Sequence, residues 1–320
     1  MTQQSLFSTL QRVMVPIIEG LDTEGAITAA QALAPETLLV GIVRLGSGEP
    51  RSAGASRAQQ LRRRLREYDR RVGVRVRDTV LVAEKAWVDL QAVIADEAPD
   101  LLMLEWDAHL KGLNVTLKDL FAQPLCDLAL VRGEIRSSLK HVLVPMRGGP
   151  YAELALRAGL SLKPRRLTAL HIQLSGGGGS DAPFKGLDRV LERMPDVRRR
   201  SITTRDAART IQDEAKKADL VILGASARPA HTSSALGPVA DRLLKQSSSA
   251  VMIVKTQRPM PETVTDESIG AGAISILVDK WFAENTFHAT EFAQLDRMVS
   301  LKREQGVTVS LALPALNEAQ

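Results

Sequence analysis

The residues best placed to do chemistry lie between Asp219 and Lys255, in DLVILGASARPAHTSSALGPVADRLLKQSSSAVMIVK. Leu220 to Leu223 form a short apolar run of the kind buried in parallel sheets, Gly224 ends it, Gly237-Pro238 opens a helix, and Ala250 to Val254 form a second apolar run. Glycine at the turn lets backbone N–H groups approach an anion. Proline in the first helical turn forfeits no hydrogen bond, and the positive helix N-terminus beyond it favours a phosphate. The expected chemistry is binding of a phosphorylated ligand. Arg228 and His231, in the intervening loop, can face that phosphate or stay in solvent.

Other reactive side chains form no constellation. His109, His141, His171, His231 and His288 lack the spacing of metal ligands, so no metal site is expected. Cys126, the one cysteine, sits in an apolar strand and reads as a small core residue, and an internal disulfide is excluded. Ser247 to Ser249 precede a strand and read as the end of a helix. No catalytic residue is expected from this chain.

Gly224, Ala227 and Gly237 fall at the three glycine positions of G-x2-G-x9-G-[S/T], and with its flanking strands the segment resembles the ATP loop of universal stress proteins. Ala227 stands in place of the second glycine, and Pro238 in place of the Ser/Thr whose hydroxyl would meet phosphate. The resemblance implies ATP or AMP as the ligand. It implies Gly224, Ala227, Gly237, Pro238 and Val239 around the phosphates, Arg228 in the same loop, and Val144 and Pro145 near the base. Members that bind ATP carry Asp just after the Val-Pro of the first strand, whereas VPMRGGP places Arg147 there. That arginine either attracts an anion beside Gly148-Gly149 or lies exposed on a glycine turn.

The elements that must position these residues occur twice. VMVPI at 13–17 echoes VLVPM at 142–146, DLLMLEW at 100–106 echoes DLVILGA at 219–225, and CDLALVR at 126–132 echoes SAVMIVK at 249–255. The first copy reads as strands at 12–18, 37–44, 74–82, 100–105 and 126–132. Its helices fall at 22–34, along RAQQLRRRLREYDRR, and through Trp87, Leu90, Val93, Ile94 and Ala98. The second reads as a strand at 140–146, a helix at 150–162, a strand at 167–173, coil at SGGGGS, then a helix through Ala207, Ala208, Ile211, Ala215 and Ala218. Strand–helix alternation implies right-handed crossovers and parallel sheets. The expected fold class is α/β: two Rossmann-like, doubly wound domains in tandem, residues 1–136 and 137–256, packed as an intramolecular pseudo-dimer that can pair further into a homodimer. In the first copy Glu105 stands where the second has Gly224, and a carboxylate there repels phosphate, so that copy is expected to be a degenerate packing partner.

Residues 257–273 read as a linker rich in proline, glycine and small polar residues, and 274–320 as a helix followed by an incomplete strand. VDKWFAENTFHATEFAQLDRMVSLKREQGVTVSLALPALNEA resembles the opening of glucosyl-3-phosphoglycerate synthase, a retaining glycosyltransferase. That resemblance implies that Pro314, Asn317 and Glu318 lie near a nucleotide-sugar. It also implies a catalytic domain beyond Gln320, so this chain alone is expected not to transfer sugar.

The net charge is +5, yet no nucleic-acid partner is expected from the arginines behind it. Arg62, Arg63, Arg66 and Arg70 lie opposite an apolar stripe of Leu61, Leu65, Tyr68 and Val72, as on a solvated helix face, and Arg198 to Arg200 lead into an expected strand. No aromatic stacking series accompanies them. The chain has no run of roughly 18 apolar residues to span a bilayer and no secretory signal at MTQQSLFSTLQRVMVP, so no membrane partner and a cytoplasmic location are expected.

Overall fold

The computed structural model describes residues 10–77, 79–122, 124–136, 138–146, 150–175, 191, 194–225 and 236–257. The first half runs β1 (Arg12–Ile18), α1 (Glu24–Leu33), β2 (Glu36–Arg44), α2 (Arg51–Tyr68), β3 (Val74–Val76), β4 (Leu81–Ala83), α3 (Ala86–Glu97), β5 (Leu101–Glu105), α4 (Ala108–Leu113), α5 (Leu117–Ala122) and β6 (Asp127–Arg132). The second runs β7 (Val142–Met146), α6 (Pro150–Ser161), β8 (Leu167–Leu174), β9 (Val197–Thr204), α7 (Ala207–Ala215), β10 (Leu220–Gly224), α8 (Pro238–Gln246) and β11 (Ala250–Lys255).

All the strands join one sheet in the order β3-β2-β1-β5-β6-β11-β10-β7-β8-β9, with β4 also on β2. Read outward from the middle, each half has the same order. Within each half every pairing is parallel, as helix-connected strands require. The pairing of β6 with β11 is antiparallel, centred near Leu130 and Ile253. Among the described strands this pair is the one place where the sheet reverses direction.

Each half starts its first strand in the same way. The Asp100 carboxylate accepts from the N–H groups of Gln11 and Arg12 at 2.7 and 2.9 Å. The Asp219 carboxylate accepts from those of Lys140 and His141 at 2.7 and 2.9 Å. Both aspartates precede an inner strand, and both satisfy donors that would otherwise be orphaned where the outermost turn of the ladder ends. The apolar runs then fill the core: β1, β5, β7, β10 and β11 are buried almost throughout.

Several elements differ from the sequence reading. The strand expected at 74–82 breaks into β3 and β4, two three-residue pieces that pair with opposite ends of β2. Helix α2 ends at Tyr68, with Leu61, Leu65 and Tyr68 buried, so Val72 lies beyond the helix and is 97 % exposed. Arg62, Arg63, Arg66 and Arg70 are exposed. Arg198 to Arg200 do not lead into β9 but lie inside it. Residues 257–273 and 274–320 fall outside the described residues apart from Gln257.

Candidate functional site

In each half the strands on either side of the topological switch part towards their carboxyl ends, where open α/β sheets place ligands. The β7–β10 ladder joins Val142 to Leu220 and Leu143 to Val221 and stops there, although both strands continue. The β1–β5 ladder likewise stops after Met14 and Leu102. Pro145 and Pro16 sit just past these points and have no N–H with which to extend a ladder. The prolines of the repeated Val-Pro pair thus lie where the crevices open.

In the second half, the crevice is bordered by Val144 and Pro145 of β7 and by Gly224 at the end of β10, all of them expected site residues. Ala225 N–H donates to Val254 O at 2.8 Å and extends the ladder between β10 and β11 by one bond. Gly237 then caps α8 with φ 86° and ψ 159°, a conformation essentially reserved for glycine, and Pro238 is the first helical residue. Leu236 and Val239 on either side of this cap pack into the core, so the start of α8 is anchored. Arg147, Ala227, Arg228 and His231 lie outside the described residues, as do Pro314, Asn317 and Glu318 of the tail.

Gly224 has a packing role that the sequence reading missed. A Cβ at this position would lie 2.6 Å from Tyr151 Cβ and 3.3 Å from Tyr151 C, so the glycine lets the first turn of α6 close onto β10. Tyr151 is buried, and its hydroxyl accepts from Lys255 Nζ at 2.7 Å. The same ammonium lies 4.8 Å from the centroid of the tyrosine ring. Lys255 is itself buried at the end of β11.

The first half reverses this size pattern. By sheet register Glu105 corresponds to Gly224, and the small residue is now on the helix: a Cβ at Gly25 in α1 would lie 3.3 Å from Glu105 Oε1. The Glu105 carboxylate lies against the first turn of α1 beside Gly25, where the Ala26 N–H draws it towards its charged form. It thereby occupies the helix N-terminus that would otherwise attract an anion. Burial, reinforced by Asp22, raises the Glu105 pKa above the usual carboxylate range, against the pull of that N–H.

His109 closes the same crevice from the other side. Asp107 adopts φ 66° and Ala108 N–H donates back to Trp106 O at 2.8 Å, a tight turn that starts α4 and directs His109 inward. The imidazole is wholly buried, with Nε2 2.7 Å from Pro16 O and Nδ1 2.7 Å from Glu105 N. A carbonyl can only accept and an amide N–H can only donate, so Nε2 carries the proton and Nδ1 accepts. The ring bridges β1 and β5 where their own ladder has ended. Nothing in histidine spacing could have shown this, because both partners are backbone atoms.

Cys126 and the serines after α8 have structural surroundings. Burial pushes the Cys126 thiol up to about 12, which disfavours the nucleophilic thiolate. The Ser249 hydroxyl donates to Ala215 O at 2.8 Å, and Ser247 follows the last turn of α8. No group of three metal-binding side chains and no helix long and apolar enough to cross a membrane occur among the described residues.

Residues 138–255 match the universal stress protein family. No curated protein matches the sequence. Among solved structures, a universal stress protein from Archaeoglobus fulgidus DSM 4304 is similar, with a TM-score of 0.56 at 13 % identity, over 79 % of this chain and 98 % of its own. A candidate universal stress protein from Pseudomonas aeruginosa UCBPP-PA14 is similar at a TM-score of 0.50 and 17 % identity, over 83 % of this chain and 97 % of its own. At these identities the likeness is one of fold, and each match covers more of the chain than 138–255 alone. Residues 138–255 therefore form a universal stress protein-like domain within an α/β sheet of the same fold.

Proposed function

We propose that this chain is a universal stress protein-type regulatory module that binds ATP or AMP in its second half, with the first half as a degenerate, non-binding copy held against it as an intramolecular pseudo-dimer. The observation that carries this reading is the opening of α8 at Gly237-Pro238, next in sequence to a crevice bordered by Val144, Pro145 and Gly224. A helix N-terminus preceded by a glycine-only turn presents free N–H groups to phosphate. In the first half, Glu105 and His109 fill the corresponding space.

Calorimetric titration of the full chain with ATP and with AMP tests the reading. Saturable heat is expected from one nucleotide per chain, and Gly237→Ala is expected to weaken it about tenfold, since alanine resists the φ of the cap. No heat at millimolar nucleotide, or an undiminished affinity in the variant, overturns the reading.

The sequence of the tail favours a second role for the same module, as the accessory region of a glucosyl-3-phosphoglycerate synthase-like transferase. A parent protein carrying such a transferase domain should change its glucosyl transfer rate when residues 1–256 are removed. Identical rates with and without them would reject an accessory role.

A further inference from the structure

The two halves differ most in charge at the amino ends of their outer strands, on the opposite edge of the sheet from the crevices. Sheet register makes Glu36 correspond to Arg166, Arg75 to Arg198 and Arg77 to Arg200. A shared hydrogen bond extends the correspondence. The Arg12 side chain donates to Glu97 O at 3.0 Å, and His141 Nδ1 donates to Lys217 O at 2.9 Å, so Lys217 takes the place of Glu97.

In the first half these positions neutralise each other. Glu36 pairs with Arg12 and Arg75 at 3.1 and 2.9 Å, and Glu97 pairs with Arg75 and Arg77 at 2.5 and 3.6 Å. Asp96 completes the set at 3.1 Å from Arg77. In the second half both central carboxylates have become cations. Glu214 alone remains, paired with Arg200 and with Lys217. Arg166 and Arg198 have no ion pair among the described residues.

These side chains line a pocket of about 150 Å³ whose floor is Leu143 and the buried Thr168. Leu143, Thr168 and Arg198 are in register across β7, β8 and β9 and so share one face of the sheet, and Arg200, two residues on, shares it too. The Thr168 hydroxyl lies 3.0 Å from His141 Nε2. Since His141 Nδ1 donates to a carbonyl, Nε2 accepts from Thr168 while the ring is neutral.

We propose that this pocket binds a compact phosphate-type dianion, held by Arg166, Arg198 and Lys217 over Thr168. The anion supplies the negative charge that Glu36 and Glu97 supply in the first half. Guanidinium groups take phosphate oxygens in pairs, and Arg166 and Arg198, which have no ion pair among the described residues, repel one another until such an anion arrives, while Lys217 keeps its pair with Glu214. The site is separate from the nucleotide crevice, and neither proposal depends on the other.

Titration of the full chain with orthophosphate at low ionic strength tests the proposal, read by calorimetry and by the His141 ring resonance. Phenyl phosphate in a parallel titration distinguishes free phosphate from the phosphoryl group of a larger molecule. Saturable binding is expected to at least one of the two, with a shift of the His141 resonance. Arg166→Glu/Lys217→Glu, which restores the charges of the first half, is expected to weaken that binding at least tenfold while leaving ATP heats unchanged and the fold intact by circular dichroism. Arg198→Gln provides a second, milder loss, and Arg62→Gln/Arg63→Gln on α2 should have no effect. The absence of saturable binding to both compounds, binding that survives the charge restoration, or binding that leaves His141 unmoved each overturns the proposal.

Discussion

Gly224→Ala is expected to destabilise the protein by about 3 kcal/mol, the upper part of the range for overpacking a core. The added methyl would lie 2.6 Å from Tyr151 Cβ, and two of its three nearest atoms are Tyr151 backbone, which no rotamer change can move. Relief requires that α6 slide off β10, and α6 also packs against β7, β8 and β11. Urea denaturation of the variant measures the loss. Tyr151→Gly would itself be costly, since it removes a buried ring and the hydroxyl that Lys255 donates to. In the double variant the two costs should fall short of their sum by at least about 1 kcal/mol, because removing the Tyr151 side chain makes the room that the added methyl needs. A single variant within about 0.5 kcal/mol of the parent would show that the contact yields easily. This explanation of Gly224 rests on packing alone, so a loss of nucleotide binding in the same variant would not by itself identify a phosphate contact.

The example shows what was legible in the sequence and what was not. Apolar runs fix strands because only a sheet buried on both faces accommodates them, and β1, β2, β5, β7 and β8 fall within about two residues of the runs that announce them. The helix stripes are equally plain: Leu90, Val93 and Ile94 of α3 and Ile211 and Ala215 of α7 are buried as their spacing requires. The short helices α4 and α5 left no such stripe, being six residues each. Gly224 was legible as a glycine that matters, yet its reason depends on a residue 73 positions earlier in the chain. His109 was opaque for the same cause, with Pro16 O as one of its partners 93 positions away. The charge reversal between the halves shows only when register aligns Glu36 with Arg166, because sequence echoes follow the apolar inner strands and not the polar strand ends.

His109→Ala is expected to be the most damaging substitution in the first half, at about 3–5 kcal/mol. The variant removes a wholly buried imidazole and takes from both the Pro16 carbonyl and the Glu105 N–H the partner that the ring supplies. Each orphaned group costs about 1–3 kcal/mol, before any cavity is counted. His109→Gln, which offers one donor and one acceptor, should recover part of the loss, and a loss no greater in Ala than in Gln would show that the two hydrogen bonds do not matter. The pH dependence separates this role from simple packing. Burial lowers the His109 pKa below its ordinary 6.5, partly opposed by the Pro16 carbonyl, so the native state holds the ring neutral where the unfolded chain takes up a proton. Stability contributed by the neutral ring is therefore complete above pH 6.5. It falls as the pH drops towards the native pKa, at up to about 1.4 kcal/mol per pH unit. His141, whose pKa burial also lowers, adds a slope of the same sign, while Glu105 acts oppositely, because its raised pKa favours the folded state on acidification. Comparing unfolding free energies of the parent and His109→Gln between pH 7.5 and pH 5 cancels both contributions. The parent should lose more stability than the variant over that interval; parallel curves would mean that the imidazole is not held neutral by the fold, and the bridge between β1 and β5 would have to be abandoned.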